Sequence, residues 1–226
     1  MRVDNKLYQN QGIHVISSIF TIENGVTKVL LIKRKNEPYK DSWALVGGAL
    51  YNNEPLEEGM KREIYEKSGL KDIKLYEYDV FDEIGKTPTI NMRMIAVGYL
   101  GLVDINKVNI IKENINTKDV DWFDINNVPG LAFLHNDMLK SAIETLRELI
   151  PQSDILKVLL PNEFTMPELQ KIFEGILGRS FDRRNFRKKI LSLGIVDDTK
   201  KEVSINGNKP SKLYRFKKNL EKKKVF

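Results

Sequence analysis

The sequence predicts an α/β layered domain over residues 1–150, followed by a smaller basic domain of helices and a hairpin over residues 151–226. β-prone runs mixed with two helical segments occupy the first part, and Pro151-Gln152-Ser153 interrupts the second of those helices. Residues 1–150 carry 19 Lys and Arg against 22 Asp and Glu, a net charge of −3, whereas residues 151–226 carry 18 against 9, a net charge of +9. This asymmetry indicates a polyanion-binding second part, with a solvated basic tail as the alternative.

The composition excludes several classes of site. The chain has no Cys, so it has no disulfide framework, thiolate zinc site or cysteine nucleophile. Its two His residues are isolated, and we expect structural roles for both, with His14 opening a strand and His135 in a loop. The N-terminus lacks a secretory pattern, and no apolar run approaches the roughly 18 residues of a membrane span. We therefore expect a cytoplasmic protein without a membrane partner.

The first part begins with a predicted hairpin. The β-rich runs HVISSIFTI and TKVLLIKR flank Asn24-Gly25, a strong turn signal. A short strand from Trp43 to Val46 leads to Gly47-Gly48, where the missing side chains would let the backbone turn closely around a ligand or ion. Further strands are predicted in IKLYEYDVF, MRMIAVGYLGLV and VDWFDI, and the amphipathic helix DMLKSAIETLRELI closes the domain.

Residues 48–70, GALYNNEPLEEGMKREIYEKSGL, carry the most specific motif. In a helix of about 3.6 residues per turn, positions 63, 66 and 67 share one face, so three carboxylates there would converge on a hard divalent cation. Glu63 and Glu66 fit this pattern, but position 67 is Lys67. Because Lys67 follows Glu63 by four residues, we expect an ion pair worth about 0.2–0.5 kcal/mol, whose ammonium takes the place of the cation. A solvated helix residue is the alternative.

The spacing resembles the Nudix box, which is matched by Gly48, Glu54, Arg62, Glu63, Ile64, Glu66, Gly69 and Leu70. The resemblance implies an α/β/α sandwich with a mixed sheet that binds a nucleoside diphosphate linked to another group. In active members the box holds magnesium against a pyrophosphate. Carried over, Glu63 would be the catalytic base or a metal ligand and Glu66 a metal ligand, with Lys67 in a third ligand position.

Several other residues are candidates for ligand binding. Arg34 and Arg93 end or begin strands, and guanidinium groups match phosphate oxygens in pairs, although strand-end arginines are often only solvated. Phe81 or Tyr78 is a candidate to stack on a base. The ligand-binding prediction therefore comprises Arg34, Gly47, Gly48, Phe81 and Arg93.

The second part predicts a helix-turn-helix. Thr165 opens a capping box, and the helix that follows stops at Gly178. After a short turn, Asp182 is the N-cap candidate of a second helix, RRNFRKKILSL, which ends at Gly194. With about 100° per residue, Ile190 and Leu193 fall within about 40° of Phe186, whereas Arg187, Arg184 and Lys188 lie at about 100°, 160° and 200°.

Residues at the start of such a second helix reach base edges in the major groove. The candidates are Arg183, Arg184, Asn185, Arg187 and Lys188. Two β-prone runs around Asn206-Gly207-Asn208 predict a hairpin, which completes a winged helix. Its candidates for phosphate contacts are Lys200, Lys201, Lys209 and Lys212. The alternative is a basic appendage used for protein contacts or solubility.

Together the two parts resemble the Nudix-related transcriptional regulators typified by NrtR, a repressor of NAD metabolism, and by an arabinose-responsive relative. The segments FTMPELQKIFEGILGRSFDRRNFRKKIL and KLYRF carry this resemblance most specifically. It implies a homodimer on a palindromic operator in double-stranded DNA, with ADP-ribose or a sugar as effector, control of NAD or niacin metabolism, and no cofactor for DNA binding. One departure is Leu134, where relatives have an Asp before His135.

A second function remains open at this point. The chain resembles Nudix hydrolases that cleave ADP-ribose or a related nucleoside diphosphate derivative with Mg²⁺. Lys67 argues against hydrolysis at ordinary rates, because the number of ligands controls the affinity of hard-cation sites. Mg²⁺ would be required only for residual hydrolysis through Glu63 and Glu66.

Overall fold

The structure, a computed structural model, describes residues 11–83, 93–150, 155–204 and 210–217. The first part forms a seven-stranded sheet in the order β3-β2-β1-β6-β5, with β4 also paired to β1 and β7 to β2. The strands are β1 (Gln11–Glu23), β2 (Val26–Arg34), β3 (Trp43–Ala44), β4 (Val46–Ala49), β5 (Leu75–Glu83), β6 (Arg93–Leu102) and β7 (Thr117–Asp124).

The sheet is mixed, as predicted. β1 and β6 are parallel, whereas β1 is antiparallel to β2 and β4, and β2 is antiparallel to β7. The predicted β1–β2 hairpin is confirmed: Asn24 and Gly25 both have positive φ angles, 53° and 85°, as a tight two-residue turn requires.

Two helices cover opposite faces of the sheet, α1 (Leu56–Ser68) and α2 (His135–Leu149). Side chains alternate between faces along a strand, so β1 supplies two cores. Val15 and Ile19 pack in the same cluster as Met60 of α1, whereas Phe20 packs in the cluster that contains Leu146 of α2. Burying each of these side chains contributes about 1.5–3 kcal/mol, which fixes both helices against the sheet.

The second part contains α3 (Met166–Leu177) and α4 (Arg183–Leu193), preceded by a short 3-10 helix (Leu156–Val158). Three strands accompany them, β8 (Phe164–Thr165), β9 (Val196–Val203) and β10 (Ser211–Phe216), in the order β8-β10-β9. The helix-turn-helix and the hairpin are confirmed. The sequence missed β8, because two residues are too few to show a period.

The predicted ends of α3 are also confirmed. The Glu168 backbone N–H donates to Thr165 Oγ1 at 3.4 Å, and the Thr165 backbone N–H donates to the Glu168 carboxylate at 2.7 Å, which completes the capping box. Gly178 and Gly194 end α3 and α4 with φ angles of 65° and 64°, in the left-handed region that favours glycine.

The two parts contact each other directly. A Cβ on Gly175 of α3 would lie 2.7 Å from the carbonyl oxygen of Gly25, so the tip of the β1–β2 hairpin meets α3 backbone to backbone. Arg147 Nε of α2 donates to the Ile176 carbonyl at 3.1 Å. One hydrophobic cluster includes both Phe20 and Phe173 and thus runs through both parts.

Some predictions fall outside the described residues. The domain boundary at Pro151-Gln152-Ser153 stays a prediction for this reason, as do the Asn206-Gly207-Asn208 turn and the contact proposed for Lys209. Of the helices that the structure describes, none is long and apolar enough to cross a membrane.

Candidate functional site

The Nudix-box helix lies close to β4 because Gly48 has no side chain there. A Cβ on Gly48 would collide with the carboxylate of Glu63, and a Cβ on Gly47 would lie 2.5 Å from the Val15 carbonyl oxygen. The expectation that Gly47-Gly48 forms a turn was wrong. Both residues lie within β4 and pair with β1, and the space beside Gly48 is filled by Glu63, whereas Gly47 lies against the β1 backbone.

Arg62 organises the carboxylates of the box. Its Nη2 lies 2.6 Å from Glu54 Oε1, and its Nη1 lies 2.7 Å from Glu63 Oε1 and 3.4 Å from Glu66 Oε2. Hydrogen bonds from Arg62 lower the pKa of the Glu54 carboxyl to about 2, and the Glu54 carboxylate in turn raises the pKa of Arg62. All three carboxylates of the motif are therefore oriented by one guanidinium group.

Lys67 completes the cluster from the last turn of α1. Its Nζ lies 2.8 Å from Glu63 Oε2 and donates to the carbonyl oxygen of Gly47. The predicted ion pair with Glu63 is confirmed, and it is largely shielded from solvent, with side-chain exposures of 17% for Lys67 and 8% for Glu63. Both Glu63 oxygens thus face cationic groups of the protein itself.

This donor set does not fit the magnesium that the Nudix box implies. An octahedral Mg²⁺ requires carboxylate oxygens that are free to coordinate it. Here the Lys67 ammonium stands in the third ligand position, 2.8 Å from Glu63 Oε2, and repels a cation from that oxygen. In the described part of the chain, no three His, Cys, Asp or Glu side chains form a group that could hold a metal ion.

Two cavities adjoin at the end of β2. The inner cavity, about 220 Å³, is lined by residues that include His14, Ile16, Met94, Phe133, His135 and Met138. The outer cavity, about 280 Å³, is lined by residues that include Asn36, Tyr51, Arg62, Glu63, Glu66 and Asn116. Ile32, Arg34, Gly48 and Lys67 line both. Two cations, Arg34 and Lys67, therefore stand at the border between an inner, more apolar space and an outer, polar one.

Arg34 is held in place at this border. Its Nε donates to the Pro38 carbonyl at 2.9 Å, and its guanidinium carbon lies 4.9 Å from the centre of the Phe133 ring. Burial lowers its pKa, while Glu37 opposes that shift. The structure thus brings Arg34 together with Gly47, Gly48 and Lys67, although its contact with a phosphate stays a prediction.

The structure does not bring Phe81, Tyr78 or Arg93 to either cavity. Phe81 packs on the core with its ring 5.8 Å from that of Tyr78, whose hydroxyl donates to the Met138 carbonyl at 3.1 Å. Arg93 Nε donates to Asp82 across the β5–β6 pair at 3.0 Å. Because side chains alternate along β6, the cavity side of the strand carries Met94, and Arg93 points the other way.

The sequence missed the contribution of the segment before α2. His135 was expected in a loop, but it is the first residue of α2, and its Nδ1 accepts a hydrogen bond from the Leu45 backbone N–H at 3.1 Å. Its neighbour in the cavity is Phe133, whose ring centre lies 5.3 Å away. His14 lies inside β1 and also lines the inner cavity. The only sequence signal for this part of the site is the segment FLHND itself, because the residues that precede α2 have no helical or strand period.

The second candidate site is the exposed face of α4. A polar network fixes the turn before it: Gln170 Nε2 donates to the Phe181 carbonyl and to Glu174, each at 2.8 Å. Asp182 then accepts hydrogen bonds from two backbone N–H groups of α4, and Phe186 and Ile190 anchor the helix in the core. The opposite face exposes all five predicted residues, Arg183, Arg184, Asn185, Arg187 and Lys188.

A groove of about 460 Å³ runs between α4, the start of α3 and β10, and Pro167, Arg183, Arg187 and Lys212 are among its lining residues. Arg187 Nη2 donates to the Tyr214 hydroxyl at 3.3 Å, which ties α4 to the hairpin. The structure therefore brings Arg183 and Arg187 of α4 together with Lys212 at this groove, and contacts of the predicted residues with DNA stay predictions.

The hairpin lysines are engaged with acidic side chains. Lys212 Nζ lies 3.2 Å and Lys200 Nζ 3.9 Å from Asp198 Oδ2, while Lys201 Nζ lies 2.8 Å from Glu163. Each of these lysines therefore shares its charge with a nearby carboxylate, which the sequence did not reveal.

Comparisons with known proteins agree with this architecture. The family model of the NUDIX domain matches residues 12–146, and that of the NrtR DNA-binding winged helix domain matches residues 158–216. The chain is 29% identical over 213 residues to the ADPR responsive transcriptional repressor NtrR of Acinetobacter baylyi, covering 92% of this chain and 83% of the relative.

Two solved structures extend the comparison. Shewanella oneidensis NrtR complexed with a 27mer DNA is 25% identical, with a TM-score of 0.68 and coverage of 91% of this chain and 93% of that one. The NUDIX domain of the same protein complexed with ADP ribose is also 25% identical, with a TM-score of 0.57 and coverage of 63% and 93%. The chain therefore belongs to the Nudix family and carries a C-terminal winged helix domain of the NrtR type.

Proposed function

We propose that this protein is a transcriptional repressor whose Nudix domain senses ADP-ribose. The observation that carries the proposal is the position of Lys67, which fills the metal side of the Nudix box in a chain that also exposes a basic recognition helix. The A. baylyi relative, an ADPR responsive repressor, supports it along most of the chain, and the S. oneidensis structures with DNA and with ADP ribose support its two halves.

The DNA-binding half acts through α4. Its exposed Arg and Asn side chains are the types that read guanine and adenine edges in the major groove, and the net charge of +9 over residues 151–226 favours the polyanion. Two such helices on a homodimer would read the two halves of a palindromic operator. DNA binding by itself requires no cofactor, and it implies a location with the chromosome, in the cytoplasm.

The sensing half acts through the border between the cavities. A diphosphate placed there meets the ammonium of Lys67 and the guanidinium of Arg34, so protein cations supply the charge that magnesium supplies in a hydrolase. The bound ligand then remains largely intact. Ligand binding weakens operator binding only as far as the ligand has a higher affinity for the arrangement of the dimer that does not bind DNA.

Fluorescence anisotropy tests this function. The probe is a labelled duplex from the region upstream of the protein's own operon, titrated with full-length protein at several salt concentrations in EDTA. We expect salt-dependent binding that ADP-ribose weakens. Arg184→Ala should weaken binding, whereas Lys61→Ala, which removes the same charge from the exposed side of α1, should not.

Three results would contradict the proposal. Absence of binding at moderate salt would exclude the repressor. Release by arabinose but not by ADP-ribose would make the protein a sugar sensor. Magnesium-dependent formation of AMP and ribose phosphate from ADP-ribose at ordinary enzyme rates would make it a hydrolase.

A further inference from the structure

His135 lines the inner cavity, and its ring nitrogen Nε2 is a hydrogen-bond donor. Its Nδ1 accepts from the Leu45 backbone N–H at 3.1 Å, and Leu45 is buried between β3 and β4, so the donor cannot move away. A neutral imidazole with an occupied Nδ1 lone pair carries its proton on Nε2. Within the described residues, Nε2 has no hydrogen-bond partner, and it is the polar atom that the ring can offer to a ligand.

The surroundings keep this imidazole neutral. Burial lowers the pKa of His135 to about 3, and the nearby charges of Arg34, Lys67 and His14 act in the same direction. At neutral pH the ring therefore adds no positive charge to the cavity. It differs in this respect from the two cations at the border, which attract any anion.

The lining of the two cavities favours a ligand with a charged part at the border and an uncharged part in the inner cavity. Arg34 and Lys67 stand at the border, whereas the inner walls near His135 are apolar and include Ile16, Met94 and Met138. A phosphate moved inward would lose solvation without gaining an ion pair. A planar, uncharged ring with hydrogen-bond acceptors would bury its faces there and still find one donor.

We infer that His135 determines specificity for the base of the nucleotide: its Nε2–H donates to an acceptor on the base inside the inner cavity, while Arg34 and Lys67 hold the diphosphate at the border. This inference rests on the proposed function and names the residue that reads the uncharged end of the effector.

Calorimetric titration of the full-length protein tests the inference with three ligands in EDTA: ADP-ribose, ADP and inorganic pyrophosphate. In His135→Asn, the side-chain oxygen can still accept from the Leu45 N–H, but no donor reaches the position of Nε2. We expect ADP-ribose and ADP to bind about 10-fold or more weakly to this variant, because an acceptor on a buried base is left unpaired. Pyrophosphate affinity should not change. His135→Gln, whose amide N–H reaches further, should restore part of the loss.

The outcomes separate the two proposals. If the unchanged protein fails to bind ADP-ribose, the proposed function fails. If it binds ADP-ribose and His135→Asn binds equally well, or if the variant loses affinity for pyrophosphate by the same factor, the role in base recognition is wrong. Operator affinity, which should be the same in both proteins, shows that the variant is folded.

Discussion

Lys67→Glu is the most direct test of the idea that a protein cation has replaced a metal ion. The substitution removes an ion pair whose two side chains are 17% and 8% exposed, and it adds a negative charge four residues after Glu63. Exposed pairs contribute up to about 1 kcal/mol, and breaking a fully buried one costs about 3–5 kcal/mol, so we expect a loss of about 2 kcal/mol here. For a chain of this length, that loss lowers the melting temperature by about 4–8 °C.

Magnesium should restore the lost stability of Lys67→Glu and should not stabilise the wild-type protein. A ligand present at 100 times its dissociation constant stabilises the folded state by about 2.7 kcal/mol, which would offset the whole effect. The assay is thermal unfolding in EDTA and in a magnesium series, with the unchanged protein and Lys67→Met alongside. Lys67→Met loses the ammonium without gaining a ligand, so it should be destabilised without recovery. Any gain in ADP-ribose hydrolysis by Lys67→Glu would show how much of the catalytic set survives.

One result would refute this reasoning. If magnesium raises the melting temperature of the unchanged protein as much as that of Lys67→Glu, the ammonium does not exclude the metal. The Nudix box would then be a working cation site, and the hydrolase would become the better description of the first part.

Three further changes test other parts of the structure. Gly48→Ala should displace the Glu63 carboxylate and lower the free energy of unfolding, measured with denaturant, by about 1–3 kcal/mol. Gly130→Ala is the control, because its Cβ would meet no atom within 4 Å and should cause no steric loss of stability. In His135→Gln, the free energy of unfolding should fall less on acidification than in the wild-type protein. Because the folded pKa is about 3 and the unfolded value 6.5, only the unfolded chain binds this proton as the pH falls from 6.5; the native protein should lose about 2 kcal/mol more than the variant between pH 7 and 5. Arg187→Ala should lower operator affinity by about 1–3 kcal/mol and relax the preference for one base pair, which anisotropy titrations with single-base variants of the operator measure.

The local parts of the structure were predictable because each depends on residues close in sequence. The capping box at Thr165 and the glycine at the end of α3 are read from spacings of a few residues, and both have the geometry that the spacing requires. The Lys67–Glu63 pair follows from the helical period in the same way. A short-range rule needs no knowledge of the rest of the fold.

The cavity was less predictable because it gathers residues from distant segments. Arg34 was identified from its position at a strand end, but Arg93, chosen by the same argument, points away from the cavity and contacts Asp82. Alternation along β6 shows that Met94 and Arg93 face opposite sides, yet it does not show which side holds the ligand. His135 reaches the site through a hydrogen bond to a residue 90 positions away, which no local pattern encodes.

The β1–β2 hairpin gives the molecule a stiff mechanical connection. β2 carries Arg34 at the cavity end and joins Gly25 at the other, where the backbone touches Gly175 of α3. All nine residues of β2 pair with β1, β3 or β7, with one shift of register between Lys33 and Arg34, and a strand of that length spans about 30 Å. A continuously paired strand therefore connects the cavity with α3, and we expect a displacement that passes the shift at Lys33 and Arg34 to be carried along the strand to Gly25.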